Sequence, residues 1–247
     1  MCVMMGFNPY HLKRNMAETP HFIKDLLVYR KLSQQQQFPL HYSNLYPIMT
    51  DFDGEAGWAG GPYFHQDLWA ARKIYHARPA RHIDIGSRID GFVAHVLTFM
   101  PIIVIDIRPL SSDLPDLNFI QDDATLLSNF EDDSVESLSS LHAIEHFGLG
   151  RYGDPVDPDA CFKAMASLAR VLKPGGRLYF SVPIGIERVE FNAHRVFSPK
   201  TILQAFNKLR LLSFATVDDA GKIEIEAKPD DYNEARMACG LFEFTKD

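Results

Sequence analysis

The stretch RHIDIGSRIDGFVAHVLTFMPIIVIDIRPLSSDLPDLNFIQDDA, residues 81–124, decides the fold. It begins with a short strand over 82–85 (His-Ile-Asp-Ile) and passes through a loop that opens with Gly86. A helix follows, and then a second apolar strand over 102–105 that ends in Asp106. An acid at the carboxyl end of the second strand of an α/β unit is placed to accept hydrogen bonds from ribose hydroxyls. The stretch therefore predicts a site for a nucleoside-type cofactor.

Length and composition limit the class of protein. The 247 residues are enough for one large α/β domain and an extension. The net charge is −7 and no basic run stands out, so nucleic acid is not an expected partner. The three cysteines lie far apart in the sequence, which fits a reducing compartment. No apolar run reaches the roughly 20 residues that span a bilayer, and no secretory signal opens the chain, so we expect a cytoplasmic protein without a membrane partner.

Strands and helices alternate along most of the chain, which favours an open, mostly parallel sheet. Helices are predicted at 66–76, 91–99, 162–172 and after Ser198-Pro199, and strands at 119–120, 135–141, 177–184, 211–217 and 240–244. The last two strands lack a helical crossover, which favours an antiparallel hairpin at one edge, with 223–225 as an added edge strand. Residues 1–62 are predicted to be an extension, acting as a lid, an acceptor-binding element or a dimer arm, and 63–247 to be the α/β domain.

Five short motifs resemble, in kind and order, those of the class I S-adenosylmethionine-dependent methyltransferases. They are His82–Ser87, Val104–Ile107, Gln121–Ala124, Ser140–His146 and Leu172–Leu178. The resemblance covers residues 66–244 and implies a Rossmann-like, seven-stranded, mostly parallel sheet with helices on both faces and an antiparallel edge hairpin. The stretch 148–154, rich in glycine, is similar to a less characterised branch that is associated with surface glycans.

The resemblance implies S-adenosylmethionine as cofactor and S-adenosylhomocysteine as product. The residues that match the binding motifs are Asp84, Gly86, Ser87, Arg88, Asp106, Ile107, Asp123, Ala124, Leu141 and His142. Asp84 and Gly86 would approach the methionine end of the cofactor. Leu141 and His142 would line the cofactor near the sulfonium. Asp106 would hold the ribose and Asp123 the adenine amine, with Ile107 and Ala124 on either side of the ring. Arg88 stands where the family has a small residue, and it would meet the cofactor carboxylate through a charge-assisted contact.

A hydroxyl acceptor also needs a base, because its proton must leave as the methyl group arrives. In such sheets the base should follow strands four and five, at the carboxyl edge. The candidates are His146 and His194, with Glu145 as a structural acceptor or histidine orienter. We therefore expect O-methylation of a small molecule or of a sugar or glycan precursor. The choice between oxygen and nitrogen stays open, as does the oligomeric state, with a homodimer as one arrangement.

Three other functions compete with this interpretation. The thin glycine loop and Arg88 also suit a catalytically inactive, cofactor-binding partner subunit. Asp106 would suit a nicotinamide oxidoreductase, but 86–91 is not the G-x-G-x-x-G that cradles a pyrophosphate. Residues 142–146 match the inverted zinc-protease motif, H-x-x-E-H. That motif requires a helix, whereas this segment follows a predicted strand. We assign no metal ligands, although a non-catalytic Mg²⁺ or Ca²⁺ site stays open.

Overall fold

The computed structural model describes residues 9–33, 38, 40–49, 51 and 56–247, with only the backbone of 9–15. The chain forms two compact units, Met1–Ala59 and Gly60–Asp247. The described part of the first unit holds helix α1 (Pro9–Leu32) and a 3₁₀ turn at Tyr42–Asn44. The roles predicted for residues 1–62 stay predictions. Within the described ranges, no helix is long and apolar enough to cross a membrane.

The second unit consists of a large sheet, a separate hairpin and four helices. The strands are β1 (His82–Ile85), β2 (Ile102–Asp106), β3 (Leu117–Gln121), β4 (Val135–Leu141), β5 (Leu172–Ile184), β6 (Arg188–Glu190), β7 (His194–Val196), β8 (Arg210–Val217), β9 (Ile223–Ile225) and β10 (Ala238–Thr245). The helices are α2 (Gly61–Ala77), α3 (Ala94–Leu97, preceded by a π-helical turn at Ile89–Val93), α4 (Ala160–Val171) and α5 (Pro199–Ala205).

The main sheet has eight strands in the order β3-β2-β1-β4-β5-β10-β8-β9. β1 to β5 run parallel to one another, whereas β10 is antiparallel to both β5 and β8. The prediction of a mostly parallel α/β sheet with an antiparallel edge is thus confirmed. The expected count of seven strands rises to eight because β9 pairs with β8. The hairpin of β6 and β7 was not predicted, and it lies outside the main sheet.

Helices cover both faces of the sheet, as predicted. On one face α2 and the turn before α3 bury Ile74 and Phe92. On the other face α4 and α5 bury Leu168 and Ile202. The predicted start of α5 is also confirmed, since the Ser198 hydroxyl accepts the N–H of residue 200. With both faces covered, the carboxyl edge of the parallel strands is the place where a ligand can enter.

Candidate active site

One cavity of about 720 Å³ opens at the carboxyl edge of the parallel strands. Its wall includes Gly86 after β1, Asp106 at the end of β2 and His142 after β4. The volume is in the range of sites that enclose drug-sized ligands. Of the residues predicted for the site, all but Asp84 and Leu141 line this cavity.

The loop after β1 is shaped by a glycine and by a buried hydrogen-bonded serine. Gly86 has φ 67°, and a Cβ there would lie 3.1 Å from the Cβ of Ala143, so a side chain is disfavoured by strain and by space. Ser87 donates its hydroxyl to Asp84 at 2.6 Å and its N–H at 2.9 Å, and its hydroxyl accepts the N–H of Leu141 at 3.1 Å. Asp84 and Leu141 are therefore behind the cavity wall, where they hold the loop instead of facing a ligand.

A polar network continues from this loop into the core. Ser139 donates to Asp84, so its oxygen accepts from Nε2–H of His82 at 2.9 Å. The other ring nitrogen of His82 then accepts from Ser137 at 2.8 Å. Burial raises the pKa of Asp84 to about 6 and lowers the pKa of His82 to about 3. The sequence reasoning missed this network, although serines at alternate positions of β4 point to one face.

The acid that is predicted to hold the ribose already has a partner. Asp106 accepts the N–H of Arg108 at 2.8 Å, and its two oxygens receive the guanidinium at 2.9 and 2.6 Å. These hydrogen bonds raise the pKa of Arg108. The guanidinium carbon also lies 4.4 Å from the ring centre of Tyr152. Arg108 is about half exposed, so the pair is open to exchange with water or with ligand hydroxyls.

Arg88 is engaged within its own loop. It forms two hydrogen bonds with Asp90, at 3.2 and 3.1 Å, and its guanidinium carbon lies 4.9 Å from the ring centre of Tyr63. The predicted contact between Arg88 and a cofactor carboxylate would need this arrangement to change.

The predicted adenine side of the cavity is a tight turn of acidic residues. Asp123 accepts the N–H of Thr125 at 2.8 Å, which fixes the direction of its carboxylate. Asp122 receives the side chain of Asn129 at 2.9 Å. Ala124 and Ile107 line the same region of the wall. Both acids of the turn thus have a hydrogen-bond donor, and each carboxylate can accept further hydrogen bonds.

His146 has the arrangement of a pinned, neutral base. Its Nδ1–H donates to the carbonyl of Ala193 at 2.6 Å, which leaves the lone pair on Nε2. Burial lowers the pKa of His146 to about 4. Arg151 donates to the same carbonyl at 2.8 Å, and its charge lowers the pKa further. His146 is therefore uncharged at neutral pH.

Glu145 is buried beside this histidine. Its Oε1 lies 3.8 Å from Nε2 of His146, and its Oε2 has no hydrogen-bond partner among the described residues. Burial raises the pKa of Glu145 to about 8, so the carboxyl holds its proton at neutral pH. A neutral acid next to a neutral imidazole is a pair that can rearrange its protons when a ligand enters.

His142 is the second pinned histidine of the cavity wall. It follows β4 with φ 50°, a left-handed conformation that is uncommon for residues other than glycine, although asparagine, aspartate and histidine adopt it more often than the rest. Its Nδ1 lies 2.7 Å from Oε1 of Gln66, which also receives the Ser181 hydroxyl at 2.7 Å. Burial lowers the pKa of His142 to about 3. Gln66 reaches His142 from α2, 76 positions earlier in the sequence.

His194 lies in the cavity wall at the start of β7. Its Nε2 is buried without a hydrogen bond, and it is 3.4 Å from a carboxylate oxygen of Glu190. The neighbouring Arg195 donates to the carbonyls of Phe147 at 2.6 Å and Pro158 at 3.2 Å. Arg195 thus holds the loop after β4.

The loop over 148–154 is closed by its own carboxylate. Asp154 accepts the N–H groups of Gly148 at 2.7 Å and Tyr152 at 3.2 Å. Tyr152 lies edge-on to His146 with ring centres 5.5 Å apart, and the guanidinium carbon of Arg151 is 5.1 Å from the Tyr152 ring centre. The loop therefore covers the base from one side.

The zinc interpretation of residues 142–146 does not agree with the local backbone. Ile144–His146 is a 3₁₀ turn after a strand and not the α-helix that the motif requires. Among the described residues, no group of three or more histidine, cysteine or acidic side chains is arranged to hold a metal ion.

Solved structures with the same fold are distant in sequence. A putative sarcosine dimethylglycine methyltransferase from Galdieria sulphuraria is 14% identical, with a TM-score of 0.54 over 74% of this chain and 86% of that one. The 1,6-didemethyltoxoflavin-N1-methyltransferase of Burkholderia thailandensis, solved with 1,6-didemethyltoxoflavin and S-adenosylhomocysteine, is 13% identical, with a TM-score of 0.51 over 94% and 91%. The [4+2]-cyclase SpnF is 14% identical, with a TM-score of 0.52 over 73% and 81%.

These likenesses confirm the methyltransferase-like fold that the motifs implied. No curated protein sequence matches the chain. Residues 111–238, more than half of the chain, match the model of a family described as "Caenorhabditis protein of unknown function, DUF268". The chain belongs to that family, and it has the fold of the class I S-adenosylmethionine-dependent methyltransferases.

Proposed function

We propose that this protein is an S-adenosylmethionine-dependent methyltransferase that acts on an oxygen of a small molecule or of a sugar precursor. The observation that carries the proposal is the single cavity that joins Gly86, Asp106 and Asp123 to His146. One end has the acids and the bare loop that suit a nucleoside, and the other end has a neutral base. Two of the solved structures with the same fold are methyltransferases by name, and one was solved with S-adenosylhomocysteine.

The residues at the cofactor end fit the group. The absent side chain of Gly86 leaves the loop backbone open to a ligand, and a Cβ there would lie 4.0 Å from Oδ2 of Asp106. Asp106 would hold the ribose, and Asp123 with Ala124 and Ile107 would hold the adenine. S-adenosylmethionine, when bound, supplies an electrophilic methyl group. Asp84 acts indirectly, by fixing the loop through Ser87.

The base of the reaction is His146. Because Ala193 receives its Nδ1–H, Nε2 keeps its lone pair, which would accept the hydroxyl proton of an acceptor bound in the cavity that His146 lines. A base of low pKa is sufficient here, because the hydroxyl becomes strongly acidic as its oxygen bonds to carbon. Positioning lowers the barrier as well, since the wall fixes the orientation of the ring.

Glu145 and His194 support that base. When His146 takes the hydroxyl proton, the carboxyl of Glu145, 3.8 Å away, can accept a hydrogen bond from the new Nε2–H through its carbonyl oxygen while it keeps its own proton. His194 follows Ala193 directly, so the hairpin that carries it also holds the carbonyl partner of the base. We assign Glu145 as a positioning residue and His194 as a wall residue for the acceptor.

Methyl transfer from isotopically labelled S-adenosylmethionine to a small-molecule extract tests the proposal. A new product that carries the labelled methyl group on oxygen is expected with the wild type and lost with His146→Asn. His76→Asn, on the exposed end of α2, is the matched control and should keep activity. S-adenosylhomocysteine binding without any labelled product would instead favour the second candidate, a catalytically inactive, cofactor-binding partner subunit.

A further inference from the structure

Two imidazoles of the cavity wall are fixed in the same way. His146 donates its Nδ1–H to a backbone carbonyl at 2.6 Å, and His142 faces the amide oxygen of Gln66 with its Nδ1 at 2.7 Å. Among the described residues, no group hydrogen-bonds to Nε2 of either ring. Both residues line the cavity and both are only partly buried, so a ligand can reach them.

The tautomer of His142 follows from the orientation of Gln66. The amide nitrogen of Gln66 donates to a carboxylate oxygen of Asp67 at 3.1 Å, and its oxygen accepts the Ser181 hydroxyl at 2.7 Å. A flipped amide would place its oxygen against that carboxylate and leave the serine without its acceptor. The Gln66 oxygen therefore faces His142, so Nδ1 of His142 carries the hydrogen and Nε2 carries the lone pair.

The backbone of His142 adds an independent observation. A histidine with φ 50° is held in a strained region, and such residues cluster at functional sites. The ring is further confined by Tyr63, with ring centres 5.3 Å apart. A side chain that is held by its backbone, by an amide and by an aromatic ring is more fixed than wall packing alone requires.

We propose that His142, oriented by Gln66, is a second contact for the methyl acceptor, so that the acceptor presents two adjacent hydrogen-bond donors, one to each Nε2. This inference rests on the proposed function and deepens it. The acceptor class that fits two neutral lone pairs is a vicinal diol, whereas a carboxylate or phosphate would meet two lone pairs and no donor. His142 would then discriminate between acceptors, and Gln66 would act through it as a positioning residue.

The tautomer is tested first, by ¹⁵N NMR of the histidine rings in the full-length protein. We expect His142 to show Nδ1–H and an unprotonated Nε2 in the wild type and a mixture of tautomers in Gln66→Met. Gln204→Met, at an exposed position of α5, is the control and should leave the His142 signals unchanged. An Nε2–H tautomer in the wild type would overturn the proposal.

Binding of catechol and phenol to the protein saturated with S-adenosylhomocysteine tests the second contact. Catechol offers two adjacent hydroxyls and phenol one, so we expect catechol to bind up to about tenfold more tightly. In His142→Asn this ratio should fall towards one, and asparagine tolerates the left-handed backbone at that position. His76→Asn should keep the wild-type ratio.

The outcomes separate the two claims. An unchanged ratio in His142→Asn, or equal binding of the two probes to the wild type, overturns the second contact while the methyltransferase proposal stands. Loss of S-adenosylhomocysteine binding in His142→Asn would make His142 a cofactor residue and would also overturn it. Failure of the wild type to bind S-adenosylhomocysteine would count against the proposed function itself.

Discussion

Replacing Glu145 by glutamine tests whether the buried pair beside the base is neutral. The wild-type carboxyl must lose its proton in the unfolded state near its ordinary pKa of 4.5, whereas burial raises the folded pKa to about 8. The folded state therefore binds more protons between these two values, and the free energy of unfolding falls as the pH rises through this window. Glu145→Gln removes the titrating group and keeps the shape.

The magnitude follows from the size of the window. One unit of pKa corresponds to about 1.4 kcal/mol, so a rise from about pH 5.5 to about pH 7.5 should lower the wild-type stability by roughly 2 to 3 kcal/mol relative to Glu145→Gln. The buried His82, His142 and His146 have lowered pKa values and also reduce stability at low pH. This effect is the same in both proteins, so it cancels in the difference.

Urea denaturation of both proteins across this pH range measures the difference. Glu234→Gln, an exposed acid on the same unit, is the control and should give a difference that does not change with pH. A flat difference for Glu145→Gln would mean that Glu145 is ionised in the folded protein, as in an ion pair with a protonated His146. His146 would then carry a proton in the folded protein and could not act as a neutral base.

Four further substitutions probe the loops around the cavity. Gly148→Ala should lower the free energy of unfolding by at least about 2 kcal/mol, because its Cβ would lie 1.9 Å from a backbone oxygen. Gly153→Ala, whose Cβ would meet open space, should lower it by only about 1 kcal/mol. Urea denaturation measures both values, and equal losses would contradict this geometry. Arg108→Ala should bind S-adenosylhomocysteine several-fold more tightly in calorimetry, because Asp106 at the end of β2 then loses its guanidinium partner. Weaker binding would make Arg108 a ligand contact. Ser87→Ala should lower stability by about 1 to 3 kcal/mol in thermal unfolding, because a buried carboxylate loses a donor, and an unchanged midpoint would contradict the loop network.

The sequence predicted the frame of the molecule because the frame depends on local patterns. Consecutive apolar residues in β2 indicated a parallel strand covered on both faces, and Ser198-Pro199 indicated the start of α5. The same logic placed the candidate residues at one edge of the sheet, where most of them line one cavity.

The remaining features depend on contacts that no local pattern encodes. Gln66 meets His142 across 76 positions, and His146 meets a carbonyl 47 positions away on a hairpin that was not predicted. Asp84 matched a binding motif, but three hydrogen bonds turn it towards the core. The pairing of Asp106 with Arg108 is local. An arginine two positions after the acid that ends a strand could have indicated this pair from the sequence.

Titration of the protein with S-adenosylhomocysteine by isothermal calorimetry tests directly whether a cofactor site lies at the end of β2. We expect saturable one-to-one binding to the wild type, a loss of at least about tenfold in Asp106→Ala, and no change in Asp113→Ala, an exposed acid that does not line the cavity. Absence of binding to the wild type, or equal binding to all three proteins, would contradict a cofactor site at the end of β2.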